Sequence, residues 1–198
     1  MPDIIVRQHQ NILWLILNRP PLNLLTVEML DQLHNRLRAA VQQPPRLIVI
    51  TGTGEQSFCA GVDLPGNVEA QRTRLLLAGK EADECIARIH SQSIPMVALV
   101  KGAAFGAGCE LAALCDTIIV RDDAQFRLPA VNATVFPSAI ATALPTAVGH
   151  EVATRLQQSG ETLTAREALR LGLVHQVLPS RRFLQDAEEL LLMLATVR

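Results

Sequence analysis

Aromatic residues make up only 3% of the 198 residues, and tyrosine is absent altogether. That removes the stacking platforms on which single-stranded nucleic acids are held, and with them any tyrosine acid or oxyanion donor. A net charge is missing too. Lys and Arg number 18 against 19 Asp and Glu, leaving −1, so there is no cationic field to hold a phosphate backbone and no nucleic-acid partner is expected. No apolar run approaches the roughly 18–20 residues that span a bilayer. Met1-Pro2-Asp3 has no charged stretch leading into an apolar one, so no secretory leader is expected at this start. The cysteines Cys59, Cys85, Cys109 and Cys115 include no C-x-x-C pair, and most lie among small or apolar neighbours. Buried, reduced thiols and a cytoplasmic compartment are the expectation. The histidines (His9, His34, His90, His150 and His175) form no H-x-x-x-H pair, which argues against a metal site. Ser57, Ser91, Ser93 and Ser138 lack the context of a nucleophile elbow.

What is present is apolar material. Hydrophobic residues reach 49%, enough for a sizeable core and too many for disorder. The mean hydropathy of +0.24 leaves room for a subunit that buries surface against copies of itself. Two strand-like runs, Ile4–Arg7 and Ile12–Leu17, open the chain before Asn18-Arg19-Pro20-Pro21 breaks the pattern. Thr26 can cap a helix to about Val41, with Met29, Leu30, Leu33, Leu37 and Val41 at helical spacing. The spacing then predicts a buried strand at Leu47–Thr51, a Gly-rich loop through Gly61, and an amphipathic helix from Glu69 to His90. A second buried strand at Met96–Val100 leads to a Gly/Ala loop and a short helix at Gly108–Leu114. Strands at Thr117–Val120 and Gln125–Arg127 follow, then a loosely patterned stretch from Leu128 to Pro145. Helices are expected at Ala147–Gln158, at Ala165–Leu171 (opened by a Thr164/Glu167 capping box) and at Arg181–Thr196, with a strand at Val174–Val177. Alternating strands and helices argue for an α/β class with largely parallel sheets. No linker or low-complexity segment divides residues 1–198, so one domain is expected, with a core over 1–180 and a terminal helix over 181–198.

The chemistry concentrates in the stretch from Gly102 to Asp116. Glu110 is the only carboxylate from Ala103 through Cys115. Buried there it would be desolvated and its pKa raised, which suits proton transfer near neutrality. Placed at the helix start it could instead be an exposed or capping residue. Gly106-Ala107-Gly108 is not a G-x-G-x-x-G fingerprint, so dinucleotide binding is not indicated. Ser57-Phe58-Cys59-Ala60-Gly61-Val62-Asp63-Leu64 forms a second loop after a buried strand. Small residues in both loops would let two backbone N–H groups converge on a polarised carbonyl.

Together these two segments resemble the signature loops of the crotonase (enoyl-CoA hydratase/isomerase) superfamily. Leu17-Asn18-Arg19-Pro20-Pro21-Leu22-Asn23, Ile94-Pro95-Met96-Val97-Ala98, Thr164-Ala165-Arg166-Glu167-Ala168 and Gly172-Leu173-Val174 extend the likeness, in consistent order, over essentially the whole chain. The resemblance implies an α/β spiral of ββα turns that binds a CoA or carrier-protein thioester. It implies an oxyanion hole made by the N–H groups of Val62 and Ala107, and acid–base chemistry by Glu110. Ala60, Gly61, Asp63, Leu64, Gly106 and Ala130 fall at substrate-binding positions. Asp63 and Asp116 match residues that hold loops together. No cofactor beyond the CoA of the substrate is implied, and a homotrimer or hexamer is.

Three departures qualify the activity. Ala130 stands after Pro129 where hydratases of the family carry a second glutamate, and Val135-Phe136-Pro137-Ser138 replaces their glycine-rich turn. Val62 is bulkier than the usual alanine and is expected to narrow the acyl channel. Family chains also continue with further helices, whereas this sequence stops at Arg198. One carboxylate and one oxyanion hole suffice for hydration/dehydration or double-bond migration. They also suit decarboxylation of a malonyl- or glutaconyl-type thioester, and the missing acid leaves a non-catalytic binding or assembly subunit as a further reading.

Overall fold

The structure, a computed structural model, describes residues 2–63, 69–129 and 133–196. In chain order its elements are β1 (Ile4–His9), β2 (Ile12–Leu17), α1 (Val27–Gln42), β3 (Leu47–Gly52), β4 (Ser57–Cys59), α2 (Glu69–Ser91), β5 (Met96–Val100), β6 (Ala103–Phe105), α3 (Ala107–Ala113), β7 (Thr117–Arg121) and β8 (Gln125–Arg127). A π-helical turn, Ala139–Ala143, runs into α4 (Leu144–Val148), followed by α5 (His150–Ser159), β9 (Leu163–Thr164), α6 (Ala165–Leu171), β10 (Gln176–Leu178) and α7 (Phe183–Thr196). The caps read from the sequence are in place. The Thr26 hydroxyl accepts from Met29 N at 3.2 Å, and Thr164 and Glu167 close a reciprocal capping box.

Five expectations need correction. The Gly-rich loops contain strands β4 and β6, each too short and too rich in Ser, Ala or Cys to show a period. The stretch from Leu128 to Pro145 is not irregular throughout, because its second half is helical from residue 137. The helix expected at Ala147–Gln158 is two helices, since Gly149 turns the chain at φ +84. The strand expected at Val174–Val177 begins later, at Gln176, and α7 begins at Phe183 after a 3-10 turn.

Among the described residues the strands form two sheets, ordered β1-β2-β3-β5-β7-β10 and β4-β6-β8-β9. All neighbours are parallel except β1/β2 and β8/β9. The near-continuous burial of β3 and β5 follows from covering the large sheet on both faces. Alternate side chains divide accordingly. Leu47, Val49, Val97, Leu99 and Ile119 pack against Phe183, Ala187 and Leu191 of α7. Ile48, Ile50, Met96, Ala98 and Ile118 join the larger core with α1, α2, α3 and the small sheet. No helix among the described residues is long and apolar enough to cross a membrane.

Asn23 ties the proline turn to the small sheet. Fully buried at φ +49, it accepts from Arg19 N at 3.0 Å and donates to the carbonyls of Thr53 and Ser57, each at 2.9 Å. Asparagine tolerates this left-handed backbone where alanine does not. Replacement by alanine strands those buried groups as well, so Asn23→Ala is expected to cost about 2–3 kcal/mol in urea denaturation.

Candidate active site

Strands β4 and β6 pair in parallel, Ser57 opposite Ala103 and Cys59 opposite Ala104, so the loops that follow them leave the same edge of the small sheet. The first loop is held from behind by the approach to α1. Ala60 N donates to Leu22 O, Leu25 N to Gly61 O and Asp63 N to Leu25 O, each at 2.9 Å. This parallel bridge uses the groups on either side of Val62 and turns the Val62 N–H away from Leu25. The Arg19 guanidinium donates to Asp63 Oδ2 at 3.0 Å and to Leu24 O at 3.2 Å, fixing the end of the loop.

The second loop turns on Gly106, at φ +54, whose own N–H is taken by Arg127 O at 2.8 Å. The next amide, that of Ala107, belongs to the first residue of α3 and has no partner within the helix. A Cβ on Gly106 would lie 3.8 Å from Gly61 Cα, so the loops touch immediately before Val62 and Ala107. Just beyond, in the first turn of α3, Gly108 packs directly against the Cys59 carbonyl at the end of β4.

Glu110 lies one helical turn inside α3 and is fully buried. Its Oε2 accepts from Val135 N at 2.9 Å and Phe136 N at 3.3 Å, while Oε1 has no hydrogen-bond partner among the described residues. Burial pushes its pKa from 4.5 up to about 7, against the opposing pull of those amides and the Thr134 hydroxyl; the nearby Asp83 charge adds to the rise. The buried reading of Glu110 therefore holds over the exposed one.

The shift links this carboxyl to folding. Its folded value lies above its unfolded one, so folding takes up a proton between pH 4.5 and about 7, and stability falls as pH rises through that window. Glu110→Gln is expected to abolish this dependence and to be the more stable protein above neutrality by about 3 kcal/mol. Denaturation of both proteins from pH 4 to 8 measures it.

Of the residues singled out in the sequence, Ala60, Gly61, Val62, Asp63, Gly106, Ala107 and Glu110 are gathered here. Leu64 and Ala130 lie outside the described residues. Asp116 sits elsewhere, accepting from Met96 N at 2.8 Å with His90 at 3.8 Å, and holds a strand start. Cys59 and Cys109 are buried beside the site, and burial pushes both thiols up to about 12, which leaves them protonated. Among the described residues no group of three His, Cys, Asp or Glu could hold a metal ion. Glu151, the next acid after Asp123, is exposed on α5. Sequence reasoning missed Asp83, and it singled out Val135-Phe136-Pro137-Ser138 only as a departure from the family's glycine-rich turn, without the contact of its amides with Glu110. Asp83 was visible as a carboxylate on the apolar stripe of α2, between Ala82 and Ile86. The segment carries its function in backbone amides, which no side-chain pattern reports.

The geometry defines an α/β scaffold that brings two backbone amides and one buried carboxylate to a common edge. The chain belongs to the enoyl-CoA hydratase/isomerase family, whose sequence model matches residues 7–197. It is 38% identical over 193 residues to 2,3-dehydroadipyl-CoA hydratase of Escherichia coli K12, covering 96% of this chain and 74% of that one. It is 32% identical to crotonyl-CoA hydratase of Syntrophomonas wolfei, covering 95% and 74%. Among solved structures it resembles Pseudomonas aeruginosa DspI, with a TM-score of 0.87 and 28% identity over 100% of this chain and 82% of that one. An enoyl-CoA hydratase/isomerase family protein from Silicibacter pomeroyi gives a TM-score of 0.85 at 29% identity, covering 98% and 84%. The fold is thus crotonase-like, and the chain spans about three quarters of the curated relatives' length.

Proposed function

We propose that the protein is an enzyme that hydrates enoyl thioesters of CoA or a carrier protein, and dehydrates their 3-hydroxyacyl forms. The thioester oxygen sits between the N–H groups of Val62 and Ala107, which stabilise the enolate as negative charge develops there. Glu110 moves the proton. In hydration its carboxylate takes a proton from water as oxygen bonds to the β-carbon, and the acid so formed returns a proton to the α-carbon of the enolate. In dehydration the steps reverse. The observation that carries this reading is Glu110, fully buried within one helical turn of the two touching loops, with one oxygen held by amides and the other without a partner among the described residues. Relatives named as hydratases of dehydroadipyl-CoA and crotonyl-CoA support hydration over double-bond migration, which the same groups could perform.

With a pKa of about 7, Glu110 is half ionised near neutrality. Both directions begin from the Glu110 carboxylate and the overall reaction releases no proton, so the hydration and dehydration rates are both expected to rise with pH through about 7. Rates in both directions from pH 5 to 9 measure this, and profiles of opposite sense would contradict a single carboxylate serving both. A mass-spectrometric panel of enoyl-, 3-hydroxyacyl- and malonyl-type CoA thioesters tests the reaction itself. Gain or loss of one water supports the reading, loss of carbon dioxide replaces it with decarboxylation, and unchanged mass with a shifted chromatographic position replaces it with isomerisation.

A further inference from the structure

The segment from Val135 to Ser138 is gripped from two sides by buried carboxylates. Glu110 on α3 takes the N–H groups of Val135 and Phe136. Asp83 on α2, only 4% exposed, takes that of Ser138 at 2.9 Å. Each carboxylate keeps one buried oxygen, Glu110 Oε1 and Asp83 Oδ1, with no hydrogen-bond partner among the described residues. An aspartate on the apolar stripe of a helix costs stability, and folded chains rarely leave its oxygen unpaired, so its presence there asks for a role. Helix α2 is also fitted closely to the segment: a Cβ on Gly79, one turn before Asp83, would lie 2.6 Å from Val135 O.

We propose that Asp83 is a positioning residue for Glu110, acting through the backbone segment the two carboxylates share and through the negative charge it places beside the site. This rests on the reading of Glu110 as the proton-transferring group. Asp83 anchors Ser138, and the anchored segment keeps two amides on Glu110 Oε2, which leaves Oε1 as the oxygen for the substrate's proton. Facing Glu110 are Asp83 from α2, the Thr134 hydroxyl with the Val135 and Phe136 amides, and, from α3 itself, the neutral Cys109 thiol. Asp83 is the charge in that set. It makes the Glu110 anion harder to form, while the amides make it easier, and the balance lets one carboxyl take and give a proton near neutrality.

The two contributions have opposite signs, which makes them separable. Asp83→Asn keeps the shape and an acceptor for Ser138 N–H but removes the charge, so Glu110 should titrate lower by at least about half a pH unit. Gly79→Ala pushes on the Val135 carbonyl and draws the amides off Glu110, so Glu110 should titrate higher. Carbon-13 NMR of protein labelled at the glutamate side-chain carboxyls reads this without any substrate, the Glu110 signal being the one lost in Glu110→Gln. The pH midpoint of hydration should move in step with it. If Asp83→Asn does not fold, Asp83→Gln, which also keeps an amide acceptor and removes the charge, is titrated in its place with the same expected direction. An unchanged Glu110 midpoint in the Asp83 variant, or a shift in the same direction in both variants, overturns the proposal. Turnover that survives Glu110→Gln would instead sink the role of Glu110, and the titrations would still report whether Asp83 acts on it.

Discussion

Glu110→Gln should lose at least about a hundredfold in turnover of acyl thioesters while binding them undiminished. Glutamine has nearly the shape of glutamate, and its amide oxygen can still accept from Val135 N and Phe136 N, so the local structure should persist. What it cannot do is take a proton from water or return one to carbon. In the proposed mechanism the thioester oxygen meets Val62 and Ala107 rather than Glu110, so binding measured by calorimetry should stay close to wild type. A fall confined to kcat is the mark of an interaction used in the transition state and not in the ground state. The same variant should be more stable than wild type above neutrality, because it no longer buries an ionisable carboxyl. A less active but sturdier protein separates lost chemistry from damaged folding. Turnover unchanged in Glu110→Gln would remove this residue from the reaction.

Gly108→Ala should be the most damaging small substitution near the site. Gly108 sits in the first turn of α3, and a Cβ there would collide with the carbonyl and Cβ of Cys59 on β4. Neither neighbour can yield cheaply: the first is backbone, and the second belongs to a buried strand paired with β6. Helix α3 would have to lift from the strand. The loss expected is at least about 2 kcal/mol in urea denaturation. Because the loops meet at Gly61 and Gly106, lifting α3 also carries Ala107 away from Val62, and activity should fall far more than the remaining folded fraction. Gly54→Ala offers a comparison. Its added Cβ would lie 3.3 Å from the Pro20 side chain, away from the two loops, so it should reduce stability without selectively reducing turnover.

Much of the fold was legible because burial and periodicity agree. In α1 the sequence stripe Met29, Leu30, Leu33 and Leu37 is the buried face, and Thr26 caps it. β2, β5 and β8 fall on the predicted residues because breakers bound each run. The short strands β4 and β6 were not legible, since three residues cannot display a period of two and Ala, Ser and Cys carry little strand preference. The π-helical turn and the start of α4 were hidden for a related reason. The short run of Ser, Ala, Ile and Thr between Pro137 and Pro145 reads as a punctuated loop, and packing against the core through Ala139 and Leu144 makes it helical. At the site, Glu110 stood out as a lone carboxylate among small residues. Asp83 did not, because the surrounding helix is rich in charge and one more acid looked like part of its solvated face.

The central claim is that two amides and one carboxylate add water to an enoyl thioester. Incubation of crotonyl-CoA with the protein in oxygen-18 water, with product mass read after chromatographic separation, tests it most directly. Labelled 3-hydroxybutyryl-CoA is expected from wild type and none above background from Glu110→Gln. Crotonyl-CoA and longer enoyl-CoA thioesters recovered unlabelled and unchanged from folded wild-type protein would contradict it.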